Sequence, residues 1–473
     1  MQRDIMRSLV EWKNSAYRKP LILKGARQVG KTWVLKELGR TEYRNCVYVT
    51  LEEIAPGVPS EYAQLFETTR DPKRIVANLS LAFGQPIDPG DTLLILDEIQ
   101  DCPAAIGALK YFCDEAPEYH VACAGSLLGV RLSRDSAAFP VGKVEFLEMH
   151  PMTFSEYLRA SGEQGLCEFV SQHAARAAES LASVSSTVAD AEATRIAVEP
   201  VPDLFANQLK DHLKRYFSIG GMPEAVLRWT QTSDISEVDK VLSGLLDSYE
   251  RDFAKHGGNG QFAKISMVWN SIPTQVAREN KKFVWGLVRQ GARAREYEDA
   301  VEWLVSAGLL HRVRQNSAKG IPMSAYDSAS AFKVYSLDVG LLRRQSRLDA
   351  STFFDESRLF SEFKGAFAEN FVLQSVLPQA DVSPRYWSWD KPPHEVDFLI
   401  QVSNTVVPVE VKSGEAVKSA SLRYFARKFE ESTPLKVRMS LRNLSFDGDT
   451  LNIPLYMADH ALSIIASAIS RQR

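Results

Sequence analysis

The first 150 residues alternate short β-rich runs with stretches of helical spacing. Four such runs, PLILKGA, CVYVTLE, TLLILDE and YHVACAG, are each about as long as one strand. Because strands that are covered on both faces read as apolar runs, this order predicts a parallel sheet between two layers of helices. The fold class predicted for this part of the chain is therefore α/β.

The pattern becomes mainly helical after this region. Residues 168–199 are rich in Ala and Ser and contain no Gly or Pro, which predicts a solvent-facing helical insertion. Helical spacing then continues, with a tight turn at Gly220 and Gly221. Residues 247–345 are helical and end in two β-like runs, an order that suits a winged helix-turn-helix. From about residue 355, a helix, three strands and a helix predict a second α/β unit.

Composition narrows the class of protein. Hydrophobic residues make up 45% and charged residues 24% of the chain, as in ordinary globular proteins. With 56 Lys and Arg against 59 Asp and Glu, the chain lacks the basic excess of a dedicated nucleic-acid coat protein. Five cysteines without a CxxC pair favour reduced thiols over disulfides or zinc. No apolar run has membrane-spanning length and the N-terminal segment has no secretory pattern, so we expect a cytoplasmic protein without membrane association.

A glycine-rich loop separates the first predicted strand from the helical stretch after it. It fits the pattern GxxxxGK[ST], and a strand before it and a helix after it are the context which that pattern requires. In such a loop, backbone N–H groups face the phosphates, the lysine contacts the β- and γ-phosphates, and the hydroxyl ligates Mg²⁺. We therefore predict ATP and Mg²⁺ as ligands, with Lys31 also a catalytic residue and Thr32 a metal ligand. The predicted nucleotide-binding residues are Gly25, Ala26, Arg27, Gln28, Val29, Gly30, Lys31 and Thr32.

Further catalytic candidates lie where the third and fourth runs end. Asp97 is predicted to order the Mg²⁺ shell and Glu98 to polarise the attacking water, which predicts an ATPase. Ser126 is predicted either to hold the lytic water or sense the γ-phosphate, or to cap a helix. Arg131 and Arg134 either act in trans as an arginine finger, which requires an oligomer, or are solvated surface residues.

These motifs together resemble a widespread prokaryotic family of AAA-type ATPases with a C-terminal domain of unknown function related to PD-(D/E)XK nucleases. The resemblance spans nearly the whole chain. It is carried by GARQVGKT, LLILDEIQ, ACAGSLLG, FLEMHPMTFSEYL, YFSIGGMPEAV, VYSLDVGLL, GAFAENFV, EVDFLI and VPVEVKSG. PMTFSEYL and GGMPEAV carry no evident chemistry and are useful only as family marks.

The resemblance implies a P-loop AAA-type parallel sheet with a helical lid, a winged helix-turn-helix and a restriction-endonuclease-like α/β domain. We accordingly predict four domains: the ATPase core at 1–160, the helical insertion and lid at 161–246, the winged helix at 247–350 and the nuclease-like domain at 351–473. The chain departs from the family at Lys143, where relatives usually have arginine. If that arginine acts in trans, a lysine cannot reproduce its planar fork.

Residues of the last predicted strands fit metal-dependent phosphodiester cleavage. That chemistry needs carboxylates on adjacent strand ends to hold Mg²⁺ and a lysine to stabilise or activate the water. Asp397 lies in EVDFLI, and Glu410 and Lys412 lie on the same side of the next strand, VVPVEVKSG. Glu369, on the preceding helix, is a further candidate ligand. Alternatively, Glu410 and Lys412 belong to charge pairs that only stabilise the strands.

Two basic stretches are predicted either to contact DNA or RNA or to be solvated faces. They comprise Arg278, Lys281, Lys282, Arg289, Arg293 and Arg295 in one and Lys418, Arg423, Arg427, Lys428, Lys436, Arg438 and Arg442 in the other.

Three functional hypotheses follow from these features. In the first, ATP binding and hydrolysis rearrange the winged-helix and nuclease-like regions on nucleic acid. In the second, the nuclease-like domain is inactive and the chain is an ATPase switch that binds a protein partner. In the third, the chain is a slow ATP-dependent nuclease of genome defence.

Overall fold

The chain divides into two compact units. Unit 1 contains Met1–His150 and Trp303–Leu309, and unit 2 contains Pro151–Glu302 and Leu310–Arg473. The structure, a computed structural model, describes residues 1–55, 58–125, 139–183, 198–256, 260–278, 282–354, 361–380, 382–415, 419–430, 433–447 and 449–470.

Unit 1 is built on a five-stranded parallel sheet with the strand order β2-β3-β4-β1-β5. Its strands are β1 (Leu21–Lys24), β2 (Asn45–Thr50), β3 (Thr92–Asp97), β4 (His120–Ala124) and β5 (Glu145–Glu148). Its helices are α1 (Ile5–Asn14), α2 (Lys31–Glu42), α3 (Glu61–Thr68), α4 (Pro72–Phe83) and α5 (Pro103–Glu115). The structure confirms the predicted parallel sheet and adds β5, whose half-exposed side chains gave no apolar run.

The core of unit 1 explains why four of the strands could be predicted. Every residue of β3 and β4 is buried. On one face of the sheet, Leu94 and Leu96 pack in a cluster that includes Phe66 of α3, Leu79 of α4 and Phe112 of α5. Central strands of a covered sheet need apolar side chains in both directions, so they appear in the sequence as continuous apolar runs.

Unit 2 contains a mixed eight-stranded sheet with the order β12-β13-β11-β10-β9-β8-β6-β7. Its strands are β6 (Leu310–Asn316), β7 (Asp327–Ser336), β8 (Arg385–Asp390), β9 (Pro393–Val402), β10 (Thr405–Val411), β11 (Lys436–Ser440), β12 (Ser445–Asp447) and β13 (Thr450–Pro454). The helices after unit 1's first segment are α6 (Phe154–Ala160), α7 (Gln164–Ser183), α8 (Asp203–Ile219), α9 (Pro223–Thr232), α10 (Ile235–His256), α11 (Gln261–Val276), α12 (Ala294–Ser306), α13 (Val339–Gln345), α14 (Ser361–Val376), α15 (Ala420–Lys428) and α16 (Ala461–Ser470).

The β-like runs of the predicted winged-helix region belong to this same sheet. The strands β6 and β7 pair with each other in antiparallel fashion, and β6 also pairs in parallel with β8. Further along, β8, β9 and β10 are successively antiparallel, and β11 pairs in parallel with β10. All described strands between residues 310 and 454 thus belong to one continuous sheet.

The Ala- and Ser-rich segment differs from its prediction. Helix α7, which covers the described part of the predicted solvent-facing insertion, buries one side and packs against α16. Val170, Ala174, Ala177 and Leu181 form the buried stripe. Their spacing of three or four residues places them on one helix face, and the small alanines allow close packing. The prediction of a solvent-facing insertion was therefore wrong for the buried side of this helix.

Two of the motifs that carry the family resemblance, YFSIGGMPEAV and VYSLDVGLL, meet in a hydrogen-bonded cluster within unit 2. Asp338, which is fully buried before α13, accepts hydrogen bonds from the N–H groups of Gly221 at 2.6 Å and Leu341 at 3.0 Å, and from Gln374 at 3.0 Å. Gly220 has φ of 79°, and a Cβ there would lie 2.1 Å from the carboxylate of Asp338. The motifs YFSIGGMPEAV and VYSLDVGLL therefore meet at one buried carboxylate, which explains their glycines structurally.

Among the described residues, none of the helices combines the length and the apolar character that crossing a membrane requires. The five cysteines are all described, and none forms a disulfide.

Candidate functional site

The loop between β1 and α2 has the backbone that close approach to phosphates requires. Gly25, Gln28 and Gly30 have positive φ angles of 140°, 65° and 97°. A Cβ on Gly25 would lie 2.3 Å from the carbonyl oxygen of Met149, so a larger residue does not fit there. Gly30 immediately precedes Lys31, the first residue of α2, and a helix N-terminus presents N–H groups and a positive dipole end to an anion.

The ammonium group of Lys31 is buried within this loop. Its Nζ donates hydrogen bonds to the carbonyl oxygens of Gly25 at 2.9 Å and Ala26 at 2.7 Å. Burial lowers the pKa of Lys31 to about 8, although the charges of Glu98 and Asp97 act to raise it. A buried ammonium that has neutral carbonyl partners is stabilised by an arriving anion, so the electrostatics of this loop favour phosphate binding.

Asp97, at the end of β3, connects the loop to the neighbouring strands. Its Oδ2 accepts hydrogen bonds from Thr32 Oγ1 at 2.8 Å and from the Tyr48 hydroxyl at 2.8 Å, and its Oδ1 accepts one from the N–H of Glu98 at 3.0 Å. The predicted metal-ligand pair, Thr32 and Asp97, is thus brought into direct contact. A hydroxyl and a carboxylate oxygen this close together are the ligand types that Mg²⁺ prefers.

Glu98 occupies an unusual backbone conformation directly after β3. Its φ of 51° and ψ of 44° lie in the left-handed region, which a residue with a side chain rarely adopts. Gln100 donates a hydrogen bond to Glu98 Oε2 and so orients the carboxylate. Strained backbone of this kind clusters at functional sites, where the surrounding structure holds it in place. The charge of Glu98 acts on Lys31 more strongly than that of Asp97.

Two residues at this site were missed in the sequence. Arg3 is only 7% exposed, and its guanidinium donates to the carbonyl oxygens of Val29 at 2.8 Å and His150 at 2.6 Å, so it supports the loop. Tyr48 donates to Asp97 from the adjacent strand β2. The sequence around Arg3 has no signal for this contact, because it depends on how the N-terminal segment folds back. Tyr48 was in a recognised strand, but its side of the sheet could not be assigned.

The remaining candidates of the ATPase region have different outcomes. Ser126, Arg131 and Arg134 lie outside the described residues. Lys143 forms an ion pair with Asp114 at 2.6 Å, and both side chains are exposed. Such a pair contributes little to stability.

The candidate residues of the predicted nuclease-like domain lie close together in unit 2. The antiparallel register of β9 and β10 pairs Phe398 with Val409. Asp397 and Glu410 are the next residues along the two strands, so they lie opposite each other. Asp397 Oδ2 accepts a hydrogen bond from the N–H of Val411 at 2.8 Å. Lys412 pairs with Glu410 Oε1 at 2.8 Å, and Glu410 Oε2 is buried without a hydrogen-bond partner.

Glu369 and three further residues complete this charged cluster. Glu369, on α14, accepts a hydrogen bond from the hydroxyl of Tyr335 at 3.1 Å. Lys333, also on β7, is fully buried and its Nζ lies 2.5 Å from Glu395 Oε1. Burial acts to lower the pKa of Lys333, but the charges of Glu395, Glu369 and Asp397 outweigh it and raise that pKa. A lysine inside the apolar run FKVYS was the sequence signal for this contact.

Within the described ranges, no group of three or more His, Cys, Asp or Glu side chains forms a cluster that could hold a metal ion. Mg²⁺ is commonly bound by only one or two carboxylates together with water and substrate phosphates. The unpaired Oε2 of Glu410, opposite Asp397, is therefore the atom that fits a cation ligand best.

Some residues of the two basic stretches form ion pairs or are buried, and others are exposed. Lys436 pairs with Asp449, Arg442 pairs with Asp447, and Arg438 is buried against Ser419 and Asn452. The exposed described members are Arg423, Arg427, Lys428, Arg278, Lys282, Arg289, Arg293 and Arg295. Lys281 and Lys418 lie outside the described residues. Contacts of the exposed members with nucleic acid stay a prediction.

Three sequence families match successive parts of the chain. Residues 17–158 match an AAA domain, residues 210–352 match a domain of unknown function, DUF8612, and residues 364–457 match a second domain of unknown function, DUF4143. No curated protein matches the chain.

Solved structures show more distant likenesses. The Walker-type ATPase of Pyrococcus abyssi is 14% identical, with 73% of this chain and 95% of that chain covered and a TM-score of 0.41. A RuvB variant of Thermotoga maritima is 15% identical (66% and 90% covered, TM-score 0.30), and the ORC2 protein of Aeropyrum pernix is 12% identical (74% and 90% covered, TM-score 0.31). Such low scores support no conclusion about this chain. The family matches and the P-loop geometry together identify an N-terminal AAA-type P-loop ATPase domain, followed by two domains of unknown function.

Proposed function

We propose that this chain binds and hydrolyses ATP with Mg²⁺, and that its nucleotide state rearranges a winged-helix and nuclease-like C-terminal region on nucleic acid. The observation that carries the ATPase part is the contact between Thr32 and Asp97 beside the buried ammonium of Lys31. These are the residues which metal-assisted phosphoryl transfer needs, because that reaction depends on positioning and on neutralising the phosphate charge.

Each residue of the site has a distinct role in this proposal. Lys31 exchanges its carbonyl partners for phosphate oxygens, and the loop N–H groups bind the same phosphates. Thr32 and Asp97 would hold Mg²⁺, which would neutralise charge at the phosphates. Glu98 polarises the attacking water and takes up its proton, with Gln100 keeping the carboxylate in place. Tyr48 keeps Asp97 oriented toward Thr32.

The nuclease-like part of the proposal is supported by strand order and by one unsatisfied atom. Helix α14, the antiparallel strands β8, β9 and β10, helix α15 and the parallel strand β11 follow the order implied by the resemblance. Asp397 and Glu410 would hold a divalent ion, which would activate water and stabilise charge on a phosphodiester, and Lys412 would contact the same phosphate. The domain limits at residues 160, 246 and 350 are part of this proposal.

A second candidate function is an ATPase switch with an inactive nuclease-like domain that binds a protein partner. The ion pair between Lys333 and Glu395 favours it, because a lysine already neutralises part of the carboxylate cluster. Glu410 is similarly paired with Lys412 through one oxygen. A carboxylate site that is balanced by internal cations has less need of a metal ion.

Steady-state ATP hydrolysis by the full chain tests the proposal. We expect Mg²⁺-dependent turnover that is lost in Lys31→Ala, which should not bind ATP, and in Glu98→Gln, which should bind but not hydrolyse. Lys73→Ala, an exposed lysine on α4, is the matched control and should behave like the wild type. Normal turnover by Glu98→Gln would show that the water-activating residue is a different one.

The same assay with added single-stranded and duplex nucleic acid separates the two candidates. Stimulated turnover supports rearrangement on nucleic acid, and Mg²⁺-dependent cutting that Glu410→Ala abolishes would add nuclease activity. Lys31-dependent turnover that is indifferent to every nucleic acid, without cutting, supports the protein-binding switch.

A further inference from the structure

A fully buried lysine lies among the carboxylates of unit 2. Lys333 has no exposed side-chain surface, and its Nζ lies 2.5 Å from Glu395 Oε1 and 4.8 Å from the centre of the Tyr386 ring. Removing an ammonium from water is costly, and proteins tolerate it where a carboxylate partner compensates the charge. Lys333 is therefore held in place as a permanent cation.

The position of Lys333 relates it to the candidate metal ligands. Glu395 and Asp397 are two residues apart on β9, where the pairing with β8 shifts its register, and the charges of both act on Lys333. Lys333 and Tyr335 are likewise two residues apart on β7, and Tyr335 donates to Glu369. The charges of Glu369 and Asp397 act on Lys333 in addition to that of Glu395. Lys333 thus interacts with three carboxylates, two of which, Glu369 and Asp397, also act on Lys412.

A separate observation indicates that this cluster has an oxygen available for a further ligand. Glu410 is 4% exposed, and Lys412 occupies only its Oε1. Its Oε2 has no hydrogen-bond partner, which is costly for a buried carboxylate oxygen. Since Asp397 stands opposite Glu410 on the neighbouring strand, a divalent cation bound by both would satisfy this oxygen.

We propose that Lys333 is a built-in cation that weakens divalent-cation binding at Asp397 and Glu410. Its charge compensates Glu395 and repels a second cation among the same buried carboxylates. The site then takes up a divalent ion strongly only when an anionic phosphate adds further ligands. This inference rests on the nuclease-like site proposed above but is independent of ATP hydrolysis.

Mn²⁺ binding to the full-length, nucleotide-free chain tests the role of Lys333, with free Mn²⁺ measured by electron paramagnetic resonance. Lys333→Met, which removes one positive charge, should tighten Mn²⁺ binding by at least about tenfold. Glu395→Gln should weaken binding by about threefold or more, because it removes a negative charge and leaves Lys333 uncompensated. Arg385→Met is the matched control: it breaks an ion pair with Asp327 in the same sheet and should leave Mn²⁺ affinity unchanged.

The location of the bound ion is tested by adding Glu410→Gln to Lys333→Met, which should abolish the gain in affinity. Unchanged Mn²⁺ affinity in folded Lys333→Met, or a gain that survives Glu410→Gln, would overturn the inference. If Lys333→Met does not fold, Glu395→Gln decides, and unchanged affinity in that variant would also overturn it. A chain that fails to hydrolyse ATP would leave these affinities as they are, so the two proposals fail separately.

Discussion

Raising the pH from 7 to 9 should weaken ATP binding by removing the proton of Lys31. Burial holds the pKa of this residue at about 8 in the nucleotide-free chain, against an ordinary value of 10.5. Only the protonated ammonium offers a positive charge to the phosphates. The nucleotide affinity should therefore follow the protonated fraction of Lys31, which changes within an accessible pH range.

The size of the effect follows from that pKa. About nine tenths of the Lys31 side chains are protonated at pH 7 and about one tenth at pH 9. Because the apparent dissociation constant scales inversely with the binding-competent fraction, ATP affinity should fall about tenfold over this range. A lysine with the ordinary pKa would remain almost fully protonated at pH 9, and the affinity would be flat.

Equilibrium binding of a non-hydrolysable ATP analogue, at fixed Mg²⁺ concentration and ionic strength, measures this dependence. Calorimetry at pH 8 in buffers of different ionisation enthalpy should also show uptake of about half a proton on binding. Lys31→Arg is the control, because arginine remains charged and any residual binding should not change with pH. A flat profile for the wild type up to pH 9 would refute the reasoning.

The stability of the nucleotide-free chain should change in the opposite direction. The pKa of Lys31 is lower in the folded chain than in the unfolded chain, so protonation of Lys31 destabilises the folded chain. This penalty is absent above pH 10.5, grows as the pH falls and is complete below pH 8. The penalty below pH 8 is about 3 kcal/mol from this pKa difference. Between pH 7 and 9, the penalty from Lys31 thus becomes smaller and the fold more stable while ATP affinity falls, so weaker binding cannot be attributed to unfolding at this residue.

Four substitutions test other parts of the structure. Gly25→Ala should lower ATP affinity at least about tenfold in the same binding assay, because its Cβ meets a backbone oxygen. Tyr48→Phe should raise the Mg²⁺ concentration for half-maximal turnover by about two- to tenfold, since Asp97 loses one of its donors. Arg3→Gln should weaken ATP binding by about threefold to tenfold, with partial rescue by Arg3→Lys. Asp338→Asn should lower the free energy of unfolding by about 3 kcal/mol in chemical denaturation, and an unchanged transition would contradict the role of this carboxylate.

Much of the ATPase site could be predicted because its signals are local in sequence. The loop from Gly25 to Thr32 carries its glycines, lysine and hydroxyl within eight residues, and Asp97 and Glu98 follow directly on an apolar run. The contact between Thr32 and Asp97 then requires only that two parallel strands end at the same edge. Arg3 could not be predicted in this way, since its two carbonyl partners lie 26 and 147 residues further along the chain.

The C-terminal cluster was predicted only in part for a related reason. Asp397 and Glu410 lie on adjacent strands of one hairpin and Lys412 directly follows β10, so their proximity follows from local order. Lys333 joins them from β7, which is separated from β9 in the sheet by β6 and β8. Such a contact depends on the strand order of the whole sheet. In the predicted domain organisation, β7 and β9 belong to different domains, so there was no reason to expect this contact.

The two candidate sites differ in whether their lysine charges are already paired with carboxylates. In unit 1, the ammonium of Lys31 has only backbone carbonyls as hydrogen-bond partners, so an arriving phosphate supplies charge compensation that the loop itself does not provide. In unit 2, Lys333 and Lys412 already form ion pairs with Glu395 and Glu410, so a cation would have to compete with internal charges. The charges of unit 1 therefore favour nucleotide binding, whereas the proposed cation binding in unit 2 would depend on ligands that a substrate adds. If the proposed function holds, ATP should therefore bind the resting chain more readily than a divalent cation binds unit 2.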